Sequence, residues 1–259
     1  MSTYPATATT SAHTGAWARS HTARPAARLR LLCFHPAGSG PSFFRDWPTL
    51  LPEDIEILPI QLPGRESRFA EPHLTDYRQA VEQLYGGLRP YLDRPYALFG
   101  HSMGGLLAYG LAAAARRHGD RTPARLLVSG CGGPGTAPAK PGRSDWSDQE
   151  LVADLRQMGG TPEAVLTDPD LLGVILPVLR ADYAICDSFR RPDGPLLDCP
   201  VSVLGGEDDI YSIDDLRLWS AVTRSTTSVR TFPGGHFYLS EESAGPLLAA
   251  VKADLADTA

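Results

Sequence analysis

Five residues limit the folding of this chain more than any others. Gly100-His101-Ser102-Met103-Gly104 stands between an apolar run at 95–99 and a stretch at 106–117 that is rich in Ala and Leu. The run has the length of a buried strand, and the stretch is strong helix material. A serine passing from strand to helix with a glycine two positions away on each side predicts a very sharp turn. The serine would sit in a strained backbone conformation, and a Cβ at either flanking glycine would meet its neighbours. The helix would point its N-terminus at the serine, which favours negative charge developing there. The plainer reading is a glycine-rich turn whose serine only caps the helix. With 25 glycines in the chain, the strand and helix around the motif carry more weight than its five letters.

The rest of the chain repeats the strand-then-helix rhythm. Residues 29–34 and 55–60 read as strands, 77–92 as a helix, and 125–129 as a further strand. Residues 136–198 then contain no convincing strand; Pro and Gly break them into helical pieces at 148–158, 163–166 and 170–189. Strands return at 201–204 and 228–232, and a last helix is expected over 240–255. Strands alternating with helices mean an α/β class with a mainly parallel sheet flanked by helices. A helical excursion of this length between two late strands reads as a lid insertion at about 136–198, because long connections in compact domains usually carry function. The expected organisation is a disordered leader at 1–27, rich in Ala, Thr, Ser and Arg, followed by one domain over 28–259.

A formal charge of −6 with no basic run argues against nucleic acid as a partner. No stretch of about 18 apolar residues predicts a membrane span, and 1–27 lack the apolar centre of a signal peptide. Cys33, Cys131, Cys186 and Cys199 form no CxxC pair. They read as reduced thiols of a cytoplasmic protein, without the spacing of metal ligands.

A serine hydroxyl needs a base to take its proton and a carboxylate to orient that base. In the α/β-hydrolase fold that the motif implies, the chain order is serine, acid, histidine. Only His118 and His236 follow Ser102. His118 precedes every candidate acid, which leaves His236, in the loop Pro233-Gly234-Gly235-His236-Phe237. The acid should follow the strand at 201–204, where Glu207, Asp208 and Asp209 stand in a row. Asp209 is the first choice and Asp208 the second. Two backbone N–H groups should hold the oxyanion. Met103, after the nucleophile, is one. The other should come from His35-Pro36-Ala37-Gly38; proline has no N–H, so Ala37 is the natural donor.

Several segments together resemble the type II thioesterases of modular polyketide and nonribosomal peptide synthases, over about 29–255. They are Cys33-Phe34-His35-Pro36-Ala37-Gly38, Phe44-Arg45-Asp46-Trp47, Gln61-Leu62-Pro63-Gly64-Arg65-Glu66, the Ser102 motif with Gly105, Gly159-Gly160-Thr161-Pro162, Leu179-Arg180-Ala181-Asp182-Tyr183, Gly206-Glu207-Asp208-Asp209 and Gly234-Gly235-His236-Phe237. The chain departs from the family in the order His35-Pro36, in Ser39 where a glycine is usual, and in Ile210 where proline often follows the acid. The resemblance implies a stand-alone editing hydrolase. It would remove stalled or wrong acyl groups from the phosphopantetheine arm of an acyl or peptidyl carrier protein through a Ser-His-Asp acyl-enzyme. It would work as a monomer with no metal, no bound cofactor and no membrane. Leu151, Leu155, Met158, Leu171 and Leu172 are candidates for an acyl channel, against the plainer reading of helix packing. Arg65 and Arg68 are candidates for meeting the carrier or its phosphate, against a structural role. Rival readings keep the triad in an acyltransferase, a product-releasing thioesterase or a small-ester carboxylesterase; a non-catalytic interaction protein is the rival of another class.

Overall fold

The computed structural model describes residues 16–19, 23–136, 140–240, 244–256 and 258. The strands are β1 (Leu29–Phe34), β2 (Ile55–Pro59), β3 (Tyr96–His101), β4 (Leu126–Ser129), β5 (Val201–Gly206) and β6 (Thr227–Phe232). They form one sheet in the order β2-β1-β3-β4-β5-β6, and every pairing is parallel. The first five are buried along their whole length, because helices cover both faces, and this is why they read as continuous apolar runs rather than as alternating ones. Strand order reverses between β1 and β3, the place where open parallel sheets hold their ligands. Phe34 pairs with Gly100 there, so the loop leaving β1 and the turn at Ser102 lie side by side.

The helices are α1 (Trp47–Leu50), α2 (Tyr77–Leu88), α3 (Met103–Arg117), α4 (Asp148–Met158), α5 (Glu163–Leu166), α6 (Pro169–Asp187), α7 (Ile213–Arg217) and α8 (Ala244–Ala256). Short α1 and α7 lie outside the sequence reading. Tyr238–Ser240 is a 3-10 turn where the helix was expected to open, and the final helix is described over Ala244–Ala256; 241–243 lie outside the described residues. In α3 every residue from Met103 to Ala115 except Leu106 is buried, and small alanines let the helix lie close on the sheet.

Between β4 and β5 the described residues hold α4, α5 and α6. Ser147 and Glu150 cap the start of α4 reciprocally, and Asp168 caps α6 ahead of Pro169. Leu151, Leu176, Leu179 and Tyr183 make a small core of their own there, with Leu155 and Leu172 against it.

The leader differs from the expectation of disorder where it is described. Ala18 bridges Ile60 in antiparallel sense at the free edge of the sheet, and the Arg68 guanidinium lies 4.2 Å over the Trp17 ring. Arg24 donates to the carbonyls of Pro52 and Ile55, each at 2.8 Å. The physical reason is the edge of β2, which leaves backbone groups for an incoming segment to satisfy. Residues 1–15 and 20–22 lie outside the described residues. Among those described, no helix is long and apolar enough to cross a membrane.

Candidate active site

The turn at Ser102 has the strain that its sequence predicts. Ser102 sits at φ 54° and ψ −121°, in the region that side-chain-bearing residues avoid. A Cβ on Gly100 would lie 2.1 Å from the Gly104 carbonyl oxygen, and one on Gly104 would lie 2.1 Å from that of Phe34. Both obstacles are backbone and have nowhere to move. The Ser102 N–H donates to the Ser129 carbonyl at 2.8 Å, which ties the turn to β4. Met103 opens α3, so its N–H has no acceptor within the helix.

The loops after β5 and β6 rest on each other. Glu207 N–H donates to Phe232 O at 2.8 Å and Asp208 N–H to Gly234 O at 3.0 Å. This brings His236 Nδ1 within 2.8 Å of Asp209 Oδ1, with side-chain exposures of 5% and 1%. Asp209 Oδ1 also accepts from the Ile210 N–H at 2.6 Å. Asp208 and Glu207 are exposed, so of the three acids Asp209 faces the imidazole. His118, at the end of α3, stacks on Tyr85 instead.

Ala37, Ser102 and Met103 line one cavity of about 120 Å³, together with Leu106, Cys131 and Tyr211. Leu151, Leu155, Met158, Leu171 and Leu172 are absent from its lining. The acyl-channel reading of these five is therefore corrected: Leu151, Leu155 and Leu172 pack within the helical segment, and Leu171 is 44% exposed.

Two features lay outside the sequence reading. The first is His101, fully buried, whose ring centroid is 5.1 Å from that of His236. Its Nδ1 meets Ser129 Oγ at 2.9 Å, and that oxygen meets the Tyr238 hydroxyl at 2.6 Å. Burial holds the imidazole well below its ordinary pKa, so it stays neutral. The second is a buried ion pair between Arg65 and Asp182. Arg65 Nη1 and Nη2 donate to Asp182 Oδ2 and Oδ1, each at 2.7 Å. Arg65 is thus turned inward, onto Asp182. Arg68 donates to Glu71 and to the Gln61 carbonyl. Both arginines are structural here.

The sulfurs of Cys33 and Cys131 are buried as free thiols, and burial pushes the Cys186 thiol up to about 12. Among the described residues no group of His, Cys, Asp and Glu is placed to hold a metal ion.

A family model described as "Thioesterase domain" matches residues 29–255. The gramicidin S biosynthesis protein GrsT of Aneurinibacillus migulanus is 38% identical over 226 residues, covering 87% of this chain and 88% of its own. Thioesterase PikA5 of Streptomyces venezuelae is 33% identical, with 88% and 82% covered. Among solved structures, the type II thioesterase BorB from the borrelidin biosynthetic cluster superposes with a TM-score of 0.85 at 36% identity, covering 94% of this chain and 99% of BorB.

Proposed function

The chain belongs to the thioesterase domain family and is a thioester hydrolase; from that premise we propose that it is a type II thioesterase of a polyketide or nonribosomal peptide pathway, which clears stalled or aberrant acyl groups from the phosphopantetheine arm of carrier proteins. The observation that carries the reading is the 2.8 Å contact between His236 Nδ1 and Asp209 Oδ1, on the loops beside a serine held at φ 54°. The relatives' names support the pathway: GrsT is a gramicidin S biosynthesis protein and BorB a type II thioesterase of a biosynthetic cluster.

In this mechanism His236 Nε2 takes the Ser102 proton as Oγ attacks the thioester carbonyl. Asp209 accepts from the Nδ1–H, which fixes the tautomer and stabilises the imidazolium that forms. The N–H groups of Ala37 and Met103 hold the oxyanion of the tetrahedral intermediate. Collapse breaks the C–S bond; the pantetheine sulfur leaves and takes the proton from His236. Water then gives a proton to His236 and attacks the acyl-enzyme, and the second collapse frees the carboxylic acid and returns the proton to Ser102. The helical segment with α4 to α6 forms the lid over this site, and the arm enters beneath it.

The test is release of free acid from a carrier protein loaded with a short acyl group. The wild type should regenerate the free carrier thiol, and Ser102→Ala should not. Undiminished turnover by Ser102→Ala would end the nucleophile assignment. Equal rates on the carrier, on acyl coenzyme A and on a small aryl ester would remove the carrier from the reading. Esters or amides formed from added alcohols or amines would mark an acyltransferase.

A further inference from the structure

We propose that Asp182, on α6, is a positioning residue that holds the oxyanion loop in its working shape, so that the helix above the site and the oxyanion hole are set together. The proposal deepens the function given above and rests on Ala37 as an oxyanion donor.

The loop 35–39 is pinned group by group. The Gly38 N–H donates to Asp182 Oδ2 at 2.8 Å. The Ser39 carbonyl accepts from Arg65 Nη1 at 2.9 Å, and the same nitrogen binds Asp182 Oδ2 at 2.7 Å. The Pro36 carbonyl accepts from the Ser39 N–H at 3.2 Å and from His35 Nδ1 at 2.9 Å. The peptide plane makes this last pair informative. The Pro36 C=O and the Ala37 N–H belong to one trans peptide and point in opposite directions. Holding the carbonyl from one side aims the N–H to the other. Ala37 lines the cavity that holds Ser102.

Asp182 is the centre of this arrangement. It is fully buried, and it accepts three hydrogen bonds: two from Arg65 and one from Gly38. A buried carboxylate is tolerated only when it is paired and its lone pairs are filled. Arg65 supplies the charge and Gly38 fills a further lone pair. Gly38 has φ +76°, and a Cβ there would meet Leu179 Cδ1 of α6 at 3.2 Å, so the helix packs directly on the loop. If α6 shifts, the acceptor for Gly38 and the clamp on Arg65 move with it. The loop then loses two of its pins, and the Ala37 N–H loses its aim. A carrier arm that settles α6 over the site would complete the oxyanion hole in the same movement.

The experiment compares two inhibitors on the wild type, Asp182→Asn and the double variant Arg65→Leu/Asp182→Leu. One is an acyl-pantetheine trifluoromethyl ketone, whose adduct with Ser102 places an oxyanion in the hole. The other is the matching amide, an unreactive mimic of the bound thioester. Asp182→Asn should weaken the ketone at least tenfold and leave the amide within about twofold, with kcat falling and KM holding. The double variant removes both charges, so it should recover thermal stability, yet it still lacks an acceptor for Gly38 and should stay slow. Wild-type ketone affinity in Asp182→Asn, or activity that returns with stability in the double variant, would overturn the positioning role while leaving the hydrolase reading intact. A ketone that binds Ser102→Ala as tightly as the wild type would overturn both.

Discussion

His236 Nδ1 lies 2.8 Å from Asp209 Oδ1, while Asp208 beside it points to solvent. An asparagine at 209 presents its amide to the imidazole, favours the wrong tautomer and leaves the imidazolium without a counter-charge. In serine hydrolases built this way such a change costs on the order of 10⁴ in kcat. Asp209→Asn should therefore lose kcat by two to four orders of magnitude, roughly, with the fold intact. Asp208→Asn should stay within about twofold of the wild type, as exposed substitutions usually do. Steady-state kinetics on one acyl-carrier substrate separates them. A larger loss in Asp208→Asn would move the acid by one residue.

Two glycine-to-alanine changes should act in opposite directions. On Gly104 the new Cβ would stand 2.1 Å from a backbone oxygen of β1, and α3 would have to leave the sheet to relieve it. On Gly86, exposed within α2, nothing lies within 4 Å of the new atom. Gly86→Ala should raise stability by about 0.5–1 kcal/mol, because alanine loses less backbone freedom in a helix. Gly104→Ala should lower it by several times that amount. Urea unfolding of the two variants measures both, and equal midpoints would contradict the close packing at the turn.

The sheet was legible because burial on both faces turns its strands into apolar runs, and the meeting of His236 with Asp209 was legible because chain order leaves one histidine after the acids. What escaped were contacts set by tertiary placement. Arg65 and Asp182 are 117 residues apart, and no local pattern joins them. A signal was present all the same: Asp182 falls between Leu179, Tyr183 and Ile185, on the buried side of α6, where an unpaired carboxylate could not stay charged. His101 was hidden by its position as the free letter of the motif. For the leucines of 148–172 two readings stayed open, because helical spacing reports that a face is buried but not what it is buried against; packing is what the structure shows for Leu151, Leu155 and Leu172.

The loop after β1 should impose a pH dependence on stability. Burial, and next to it the Arg65 charge, lowers His35 to about 4 from an ordinary 6.5. The unfolded chain therefore takes up a proton near pH 6.5 that the folded protein refuses until about pH 4. Stability falls as pH drops through that window and loses nothing further from this group below it; the full loss is about 3 kcal/mol. His101, lowered in the same direction by burial, adds to the slope. His35→Asn keeps a donor for the Pro36 carbonyl and removes the titration. Comparing urea midpoints at neutral and mildly acidic pH should show a shallower dependence in the variant by about one proton. An unchanged slope would mean that His35 is protonated within the fold.

The cavity beside Ser102 sets an expectation for the acyl group. At about 120 Å³ it is well below the roughly 300–1,000 Å³ of sites that enclose a drug-sized ligand. Leu106, Phe189 and Tyr211 bound it with apolar surface, while Arg143, Lys140 and Asp187 bring charge of both signs to its wall. Short acyl groups fit, and a long chain would have to displace side chains. On one carrier, acetyl and butyryl should be released at least about tenfold faster than octanoyl, since each methylene without a pocket forfeits its burial and adds strain. Tyr211→Ala should open the cavity and narrow that ratio, even though it also costs stability. A wild type that favours octanoyl would mean that α6 and its neighbours move far enough during turnover to make a different pocket.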